Sequence, residues 1–490
     1  MNWIKRLGLD GLGAMASLYL LLPVGIIAIV FAIVRFGVMG AAISCLLFLA
    51  IGMSYLINHP DKSYLFAFVV NYFLMGASRY VTIPLVGTIM DILLLFILAC
   101  VLFKSTYTKL EWKNTRNLLT LCAIIWTLFC ILQLFNPNSR SNQSWFANVR
   151  ATATYFMLVV VLVPVLLNKM KDVKAILMIW SVLTICAVLK AYFQKSIGFD
   201  FAEARWLAQG GSSTHIIATG IRYFSFFTDA ANYGAGMGFS FVVFFIYSIY
   251  VKKRSLKIYY AIVGLMAAYG MIISGTRSAL VVPLASFGIF MFLSKNIKVV
   301  LAVVLSLAIV VCFLKFTTIG HGQSEIRRMR SLFNSKDASR NLRAQNQELI
   351  RAYMADKPFG VGIGLGGGKA LQYTPNSYIA TIATDSWFVV LWVETGIVGL
   401  ILYLSIFGVA IIYGSYICLF RIRNDELRGC LSAIVAGVAG MLIASSSNET
   451  FAQFPNGIII YTFFTFVFIG PVIDKKITEE ENKEKEVLNE

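Results

Sequence analysis

Runs of about twenty consecutive apolar residues recur along most of this 490-residue chain, with short polar segments between them. Because a helix of that length crosses a bilayer core of roughly 30 Å, the pattern predicts an all-α polytopic membrane protein with about fourteen transmembrane helices. The composition agrees, since 58% of the residues are hydrophobic and only 13% are charged. The predicted spans are 15–34, 38–57, 64–82, 84–103, 117–135, 151–167, 173–193, 229–250, 257–275, 278–294, 297–316, 397–420, 428–446 and 455–474.

The polar segments between the spans alternate in charge. One set is short and basic, as in Lys252-Lys253-Arg254, and the positive-inside preference predicts that these loops are cytoplasmic. Lys5 and Arg6 place the N-terminus in the cytoplasm, and an even number of spans returns the charged 475–490 tail to the same side, where it is predicted to be a solvated, disordered segment. Because basic residues usually mark cytoplasmic loops in such proteins, the net charge of +18 does not indicate a nucleic-acid partner, and none is expected. The eight cysteines form no CxxC or Cys/His cluster, so neither a metal site nor a disulfide framework is predicted.

The second set of loops is predicted to face outward, at 136–150, 194–228, 274–277, 317–386 and 445–456. These loops are also basic, which topology does not explain. The longest one separates an N-terminal transmembrane bundle (1–316) from the C-terminal transmembrane helices (387–474). The arginines of the outer loops are Arg140, Arg150, Arg205, Arg222, Arg277, Arg327, Arg328, Arg330, Arg340, Arg343 and Arg351.

The 317–386 loop is expected to be structured. Ser339–Asp356 is predicted to form an amphipathic helix that ends at Lys357-Pro358. A glycine-rich stretch, Gly360–Gly368, follows a helix rather than a strand and lacks the lysine of a nucleotide-binding loop. Close packing of this stretch against the membrane domain is therefore favoured over nucleotide binding. The apolar stripe of the helix consists of Leu342, Leu349, Ile350 and Met354.

Two arginines, Arg222 and Arg277, lie beside predicted spans at the outer membrane boundary. The planar guanidinium matches phosphate oxygens, which makes both residues candidates for binding a lipid diphosphate. The alternatives are snorkelling toward lipid phosphates, or a structural pair with Asp229 or Glu394.

Other polar groups near the outer boundary offer further chemistry. Asp385 lies in the outer loop at the mouth of a span, where a carboxylate can take a proton from a sugar hydroxyl or can fill a helix N-cap. Glu394 lies in apolar sequence and must face protein or a cavity, so a structural hydrogen-bonding role is favoured. The three histidines are too scattered to predict a metal site or a catalytic triad, and His215 and His321 are expected to be solvent-exposed.

Four short motifs occur in a fixed order and carry a family resemblance. They are Phe227-Thr-Asp-Ala-Ala-Asn232 after Arg222, Ser274-Gly-Thr-Arg-Ser-Ala279, Pro358-Phe-Gly-Val-Gly-Ile-Gly364 after Arg343, and Glu394-Thr-Gly-Ile-Val-Gly399 after Asp385. Over roughly residues 220–415 the chain resembles the bacterial O-antigen ligase and polymerase superfamily. The resemblance implies a GT-C-like, metal-independent, inverting glycosyltransferase without a cofactor, at the periplasmic face of the inner membrane. Its donor would be a glycan on undecaprenyl diphosphate, and its acceptor another lipid-linked glycan, lipid A–core or a protein hydroxyl.

The resemblance also implies roles for particular residues. Arg222 and Arg277 match the essential arginines of the family, which would bind the diphosphate and stabilise the leaving group. Asp385 stands nine residues before Glu394, where ligases usually carry a histidine, and this difference favours a repeat-unit polymerase over a ligase. Asp385 would polarise the acceptor hydroxyl. Further candidates for substrate contacts are Arg150, Arg340, Arg343, Asp229 and Glu394.

A lipid-glycan transporter would also be polytopic and basic. Transporters are expected to have pseudo-symmetric halves and charged residues at mid-membrane depth. This chain has no apparent repeat and few such residues, and a purely structural scaffold would not explain the outward arginines. We therefore expect an enzyme surrounded by membrane lipids, with lipid-linked glycans as its partners.

Overall fold

The computed structural model describes residues 55–81, 86–217, 220–295, 297–320, 322–331 and 338–489. The chain divides into two compact units, Met1–Ser63 and Tyr64–Glu490. Almost all of the first unit, with the predicted spans 15–34 and 38–57, lies outside the described residues. The sections below concern the second unit.

Helices form nearly all of the regular structure in the part of the chain that the structure describes. Two short strands, Ile216–Ile217 and Gly220–Ile221, pair antiparallel with Ile216 opposite Ile221. The α-helices are Pro60–Ala77, Gly87–Ser105, Leu118–Leu132, Asn142–Val149, Tyr155–Leu166, Met170–Ser196, Phe201–Trp206, Ser212–His215, Ala230–Tyr250, Arg254–Ile273, Val281–Leu293, Ile297–Phe316, Ser324–Arg330, Ala338–Met354, Trp387–Tyr416, Asp425–Ala444 and Asn456–Asn489.

Nine helices among the described residues are long and apolar enough to cross a membrane. They coincide with nine of the predicted spans, and the helical segments Pro60–Ala77, Arg277–Leu293 and Ile297–Phe316 occupy three more. The prediction of an all-α polytopic membrane protein is therefore confirmed. The total of about fourteen spans stays a prediction.

Two helices begin earlier than predicted because serine side chains cap them. The Asn142–Leu166 span begins inside a segment predicted to be an outer loop, where Ser141 Oγ accepts a hydrogen bond from a backbone N–H of the first turn. The Trp387–Tyr416 helix begins ten residues before the predicted 397–420 span, with Ser386 as its cap. A serine at the N-cap satisfies a backbone donor that would otherwise have no partner.

The C-terminal tail is helical, so its prediction as a disordered segment is wrong. The last helix, Asn456–Asn489, continues without interruption from apolar sequence into the charged 475–489 region. Glutamate and lysine are good helix formers, and Lys475 pairs with Glu479 one turn later at 3.6 Å. An established helix is easily extended by such residues, because only its nucleation is costly.

Three helices form the centre of the membrane domain, and close packing places them there. Their membrane-length windows are 78%, 83% and 89% buried, against 28% for the peripheral Gly87–Ser105 helix. Small residues permit the approach: a Cβ atom added to Gly236 would lie 2.5 Å from Asn456 Oδ1. The three central helices are Ala230–Tyr250, Asp425–Ala444 and Asn456–Asn489.

The glycine-rich stretch packs against the first turns of the Trp387–Tyr416 helix, which confirms the prediction of close packing. Gly362 N–H donates to the Glu394 carbonyl oxygen over 3.0 Å. Gly396 interrupts the helix with φ +71° and ψ −177°. A Cβ atom at Gly396 would overlap the carbonyl group of Pro358, so only glycine lets these two backbones meet.

The amphipathic helix predicted within the long loop is present, but its buried face differs from the prediction. Ile350 and Met354 are 0% and 5% exposed, whereas Leu342 and Leu349 are 57% and 48% exposed. At 3.6 residues per turn, positions 350 and 354 lie roughly 40° apart, while positions 342 and 349 share a neighbouring face. The helix therefore packs through one half of its predicted apolar stripe.

Candidate functional site

Several loops predicted to face outward line an open cavity of about 690 Å³. Its walls come from the 214–232, 368–385 and 448–454 segments and from the helix that carries Arg343. Four of the site residues predicted from the sequence thus line one cavity. They are Arg222, Asp229, Arg343 and Asp385, of which Asp385 is the predicted catalytic carboxylate. The charged lining residues are Arg222, Asp229, Arg343, Lys369, Asp385 and Glu449.

Arg222 follows the second strand and lies between the cavity and the Ser274–Arg277 turn. Its Nη1 donates to the Thr214 carbonyl oxygen over 3.1 Å, and its Nη2 donates to Thr276 Oγ1 over 2.9 Å. Its Nε is buried and has no hydrogen-bond partner among the described residues. Neutral oxygens rather than a carboxylate therefore hold this guanidinium, and its charge is left available to an anion.

Arg222 belongs to an arginine cluster that also contains Arg277, Arg328 and Arg343. Burial lowers the pKa of Arg222 from its usual value, while Asp229 opposes this shift and Arg277 and Arg343 add to it. Burial also lowers the pKa of Arg328, to about 10, with Arg222 and Arg277 adding to the shift. Arg222 thus interacts electrostatically with each of the other three guanidinium groups, which favours binding of a polyanion beside it.

Asp385 presents an exposed carboxylate to the cavity. Its backbone has φ +50°, a left-handed conformation that is costly for residues other than glycine. The alternative that Asp385 is a helix N-cap is wrong, because Ser386 Oγ accepts from Phe388 N–H over 3.3 Å and fills that role. The carboxylate of Asp385 has no hydrogen-bond partner within the described ranges and is free to accept a proton.

Asp229 fixes the start of the Ala230–Tyr250 helix at the cavity wall. Its Oδ1 accepts from the backbone N–H groups of Ala231 and Asn232 over 2.7 and 2.9 Å. This cap satisfies two donors at the positive end of the helix dipole. A direct contact between Asp229 and a substrate stays a prediction.

The 448–454 segment supplies cavity residues that sequence reasoning did not single out. Glu449 forms an ion pair with Lys369 at 2.8 Å, and Asn232 Nδ2 donates to Gln453 Oε1 over 2.6 Å. The segment was recognised as an outer loop, but none of its residues was proposed as functional. The sequence signal that could have identified this segment is its run of polar residues between two apolar helices.

His215 is 2% exposed, so the expectation of a solvated histidine is wrong. Its Nδ1 lies 2.8 Å from the Gly211 carbonyl oxygen, and its Nε2 accepts from Ala230 N–H over 3.2 Å. Both contacts require a neutral ring with its proton on Nδ1, and burial lowers the pKa of His215 accordingly. His321 lies outside the described residues, among which no group of His, Cys, Asp or Glu side chains is arranged to hold a metal ion.

Four other predicted residues do not line the cavity, and one of them is Arg277, which lies in the turn behind Arg222. Arg150 pairs with Asp91 at 3.0 Å, which ties its span to the Gly87–Ser105 helix. Glu394 is 6% exposed and lies beside the glycine-rich stretch. Arg340 belongs to the long-loop helix, but its side chain is outside the described part. Substrate contacts by these residues stay predictions.

Comparison with known proteins gives one family match. A family model described as O-Antigen ligase matches residues 261–404, which include Arg277, Arg343 and Asp385 but not Arg222. The match is narrower than the interval of roughly 220–415 over which the motifs align, and no curated protein matches the chain. The match covers both the turn that holds Arg277 and the loop that carries Asp385. Residues 261–404 are therefore similar to the O-antigen ligase family, which supports the resemblance to the O-antigen ligase and polymerase superfamily.

Proposed function

We propose that the protein transfers a glycan from undecaprenyl diphosphate to a second lipid-linked glycan, as a repeat-unit polymerase at the periplasmic face. The family match over residues 261–404 supports a glycosyltransferase of the ligase or polymerase type. The observation that carries the proposal is the cavity of about 690 Å³, which arginines and an unpartnered carboxylate line together. Glycan transfer needs the arginines because the diphosphate leaves as an anion, and it needs the carboxylate because the acceptor hydroxyl must lose a proton.

On the donor side, the arginine cluster binds the diphosphate. Negative charge develops on the bridging oxygen as its bond to the anomeric carbon breaks, and fixed guanidinium groups stabilise that charge without reorganisation. Arg222 suits this task because its contacts to Thr214 and Thr276 orient it without neutralising it. Arg343 lines the same cavity and adds a second positive charge there.

On the acceptor side, Asp385 takes the proton from the attacking hydroxyl. The new bond forms on the face of the sugar opposite the diphosphate, and the configuration at the anomeric carbon inverts. Glu449 lies in the same cavity but is paired with Lys369, so its role is to hold the wall in place. Asp385 has no such partner in the described part of the chain, which supports it as the base.

The predicted topology supports access for a lipid-linked donor. The cavity lies among loops predicted to face outward, while both termini are predicted to be cytoplasmic. In that orientation the donor lipid would reach the arginine cluster from the outer leaflet of the inner membrane.

A ligase that transfers the glycan to lipid A–core is the second candidate. The description of the matching family model as O-Antigen ligase favours it. The aspartate at position 385, in place of the histidine that ligases usually carry, favours the polymerase.

Deleting the gene in its native host and separating the surface polysaccharide and lipopolysaccharide on a gel tests both candidates. A polymerase predicts loss of the ladder, with lipid A–core capped by a single repeat unit. A ligase predicts complete loss of capping and accumulation of undecaprenyl-linked polymer. An unchanged glycan profile would refute both. Complementation with Asp385→Asn should fail, whereas the matched control Asp356→Asn, at an exposed site in the same loop, should restore the profile.

A further inference from the structure

The Ser324–Arg330 helix carries Arg328, one of whose guanidinium nitrogens has no hydrogen-bond partner among the described residues. Arg328 Nη1 is buried and makes no hydrogen bond. It lies against the Ser274–Arg277 turn, since a Cβ atom added to Gly275 would be 3.1 Å from Arg328 Nη1 and 3.8 Å from Arg222 Cγ. Arg328 and Arg222 therefore flank the same turn.

This position is unfavourable for a cation in the unliganded protein. Burial, together with the positive charges of Arg222 and Arg277, lowers the pKa of Arg328 to about 10, and the carboxylate of Glu325 only partly opposes this shift. A charged donor that is buried without an acceptor also loses the hydration it would have in water. An arginine that only stabilised the fold would be expected to have a carboxylate or carbonyl partner.

Other contacts hold the helix in this position. Lys195 Nζ pairs with Glu325 Oε1 at 2.5 Å, on the same helix as Arg328. Arg277 Nη1 donates to Ser331 Oγ over 3.3 Å, which joins the end of this helix to the turn. These contacts therefore hold the Arg328 guanidinium in its unfavourable position, as is typical of a preorganised binding group.

We propose that Arg328 is a third diphosphate-binding residue, which completes with Arg222 and Arg277 an anion site around the Ser274–Arg277 turn. The identity of the anion rests on the proposed function. Arg222 Nε and Arg328 Nη1 are both buried donors without partners, and a diphosphate supplies enough oxygens to satisfy both. Gly275 keeps the space between them open, because any side chain there would meet the Arg328 guanidinium.

Titration of the purified full-length protein with inorganic pyrophosphate, at constant ionic strength in detergent micelles, tests this proposal. Arg328→Gln should weaken pyrophosphate binding by about tenfold or more, as expected for lost charged hydrogen bonds. Arg328→Lys should have an intermediate affinity for pyrophosphate, because lysine keeps the positive charge but lacks the planar, forked N–H donors of the guanidinium. The matched control is Arg327→Gln, one residue away, where an exposed arginine contacts the Gly322 carbonyl oxygen, and its affinity should stay within about twofold.

Thermal unfolding without ligand separates binding from a structural role. A binding residue predicts that Arg328→Gln unfolds at the same or a higher temperature than the parent, because an uncompensated charge is removed. A lower unfolding temperature, or an unchanged pyrophosphate affinity, would overturn the proposal. An equal loss of orthophosphate and pyrophosphate binding would overturn the diphosphate assignment.

The same titration distinguishes this inference from the proposed function. If Arg222→Gln abolishes pyrophosphate binding and Arg328→Gln does not, the inference fails and the proposed donor site stands. If the parent binds neither pyrophosphate nor undecaprenyl diphosphate, both fail.

Discussion

Replacing Gly396 by alanine tests whether the glycine-rich stretch and the Trp387–Tyr416 helix depend on direct backbone contact. The φ of +71° with ψ −177° is a conformation that only glycine adopts readily, and forcing alanine into it costs about 1–3 kcal/mol. The new Cβ atom would overlap the Pro358 carbonyl and displace that backbone. Two hydrogen bonds would then be strained, from Gly362 N–H to the Glu394 oxygen (3.0 Å) and from Val398 N–H to the Pro358 oxygen (3.3 Å). At about 1 kcal/mol for each bond, the total loss is about 3–5 kcal/mol.

Gly408→Ala is the matched control on the same helix. Nothing lies within 4 Å of a Cβ atom at Gly408, so alanine should leave stability unchanged or raise it by up to about 1 kcal/mol. Unfolding of both variants by SDS titration in mixed micelles gives the free energies, and glycan transfer by the same preparations shows whether the loop position affects activity. Equal stability of Gly396→Ala and Gly408→Ala would refute the dependence on backbone contact.

Three further outcomes follow from the site. Asp385→Asn should lower glycan transfer by about 10²–10⁴-fold with pyrophosphate affinity unchanged, and a parallel loss of both would argue against its role as the base. Arg222→Gln and Arg277→Gln should each reduce turnover by about 10²-fold or more in a reconstituted transfer assay, and near-normal turnover in both would contradict the donor site. Because burial lowers the pKa of His215 below its unfolded value of 6.5, the unfolded chain binds more protons just below that pH and stability falls on acidification. The unfolding temperature of the parent should therefore drop more between pH 7.5 and pH 5.5 than that of His215→Gln.

The membrane architecture was predictable because span length and loop charge are local properties of the sequence. The limits of the spans were less predictable where a cap decides them. Aspartate and serine are both good N-caps, so Asp385-Ser386 alone does not show which of them caps the helix. The left-handed backbone at Asp385 settles the choice, and tertiary contacts impose that conformation.

The site was predictable only in part, for the same reason. Arg222 and Asp385 stood out as polar groups at the edges of apolar runs. Lys369 and Glu449 did not, because they become neighbours only when the long loop packs beside the last pair of helices. The burial of His215 likewise depends on a tertiary contact. The centre of the Phe224 ring lies 5.0 Å from that of the His215 ring, and no local sequence pattern indicates this contact.

The 448–454 wall of the cavity has a consequence for biogenesis. It connects Asp425–Ala444 to Asn456–Asn489, and every other part of the cavity wall precedes it along the chain. The final helix is also the most buried of the candidate spans, at 89% of its window, so it inserts among partners already in place. A nascent chain that has not yet reached the 448–454 segment therefore carries its arginines beside an unfinished cavity wall. The order of residues along the chain makes closure of this wall one of the later steps of membrane assembly.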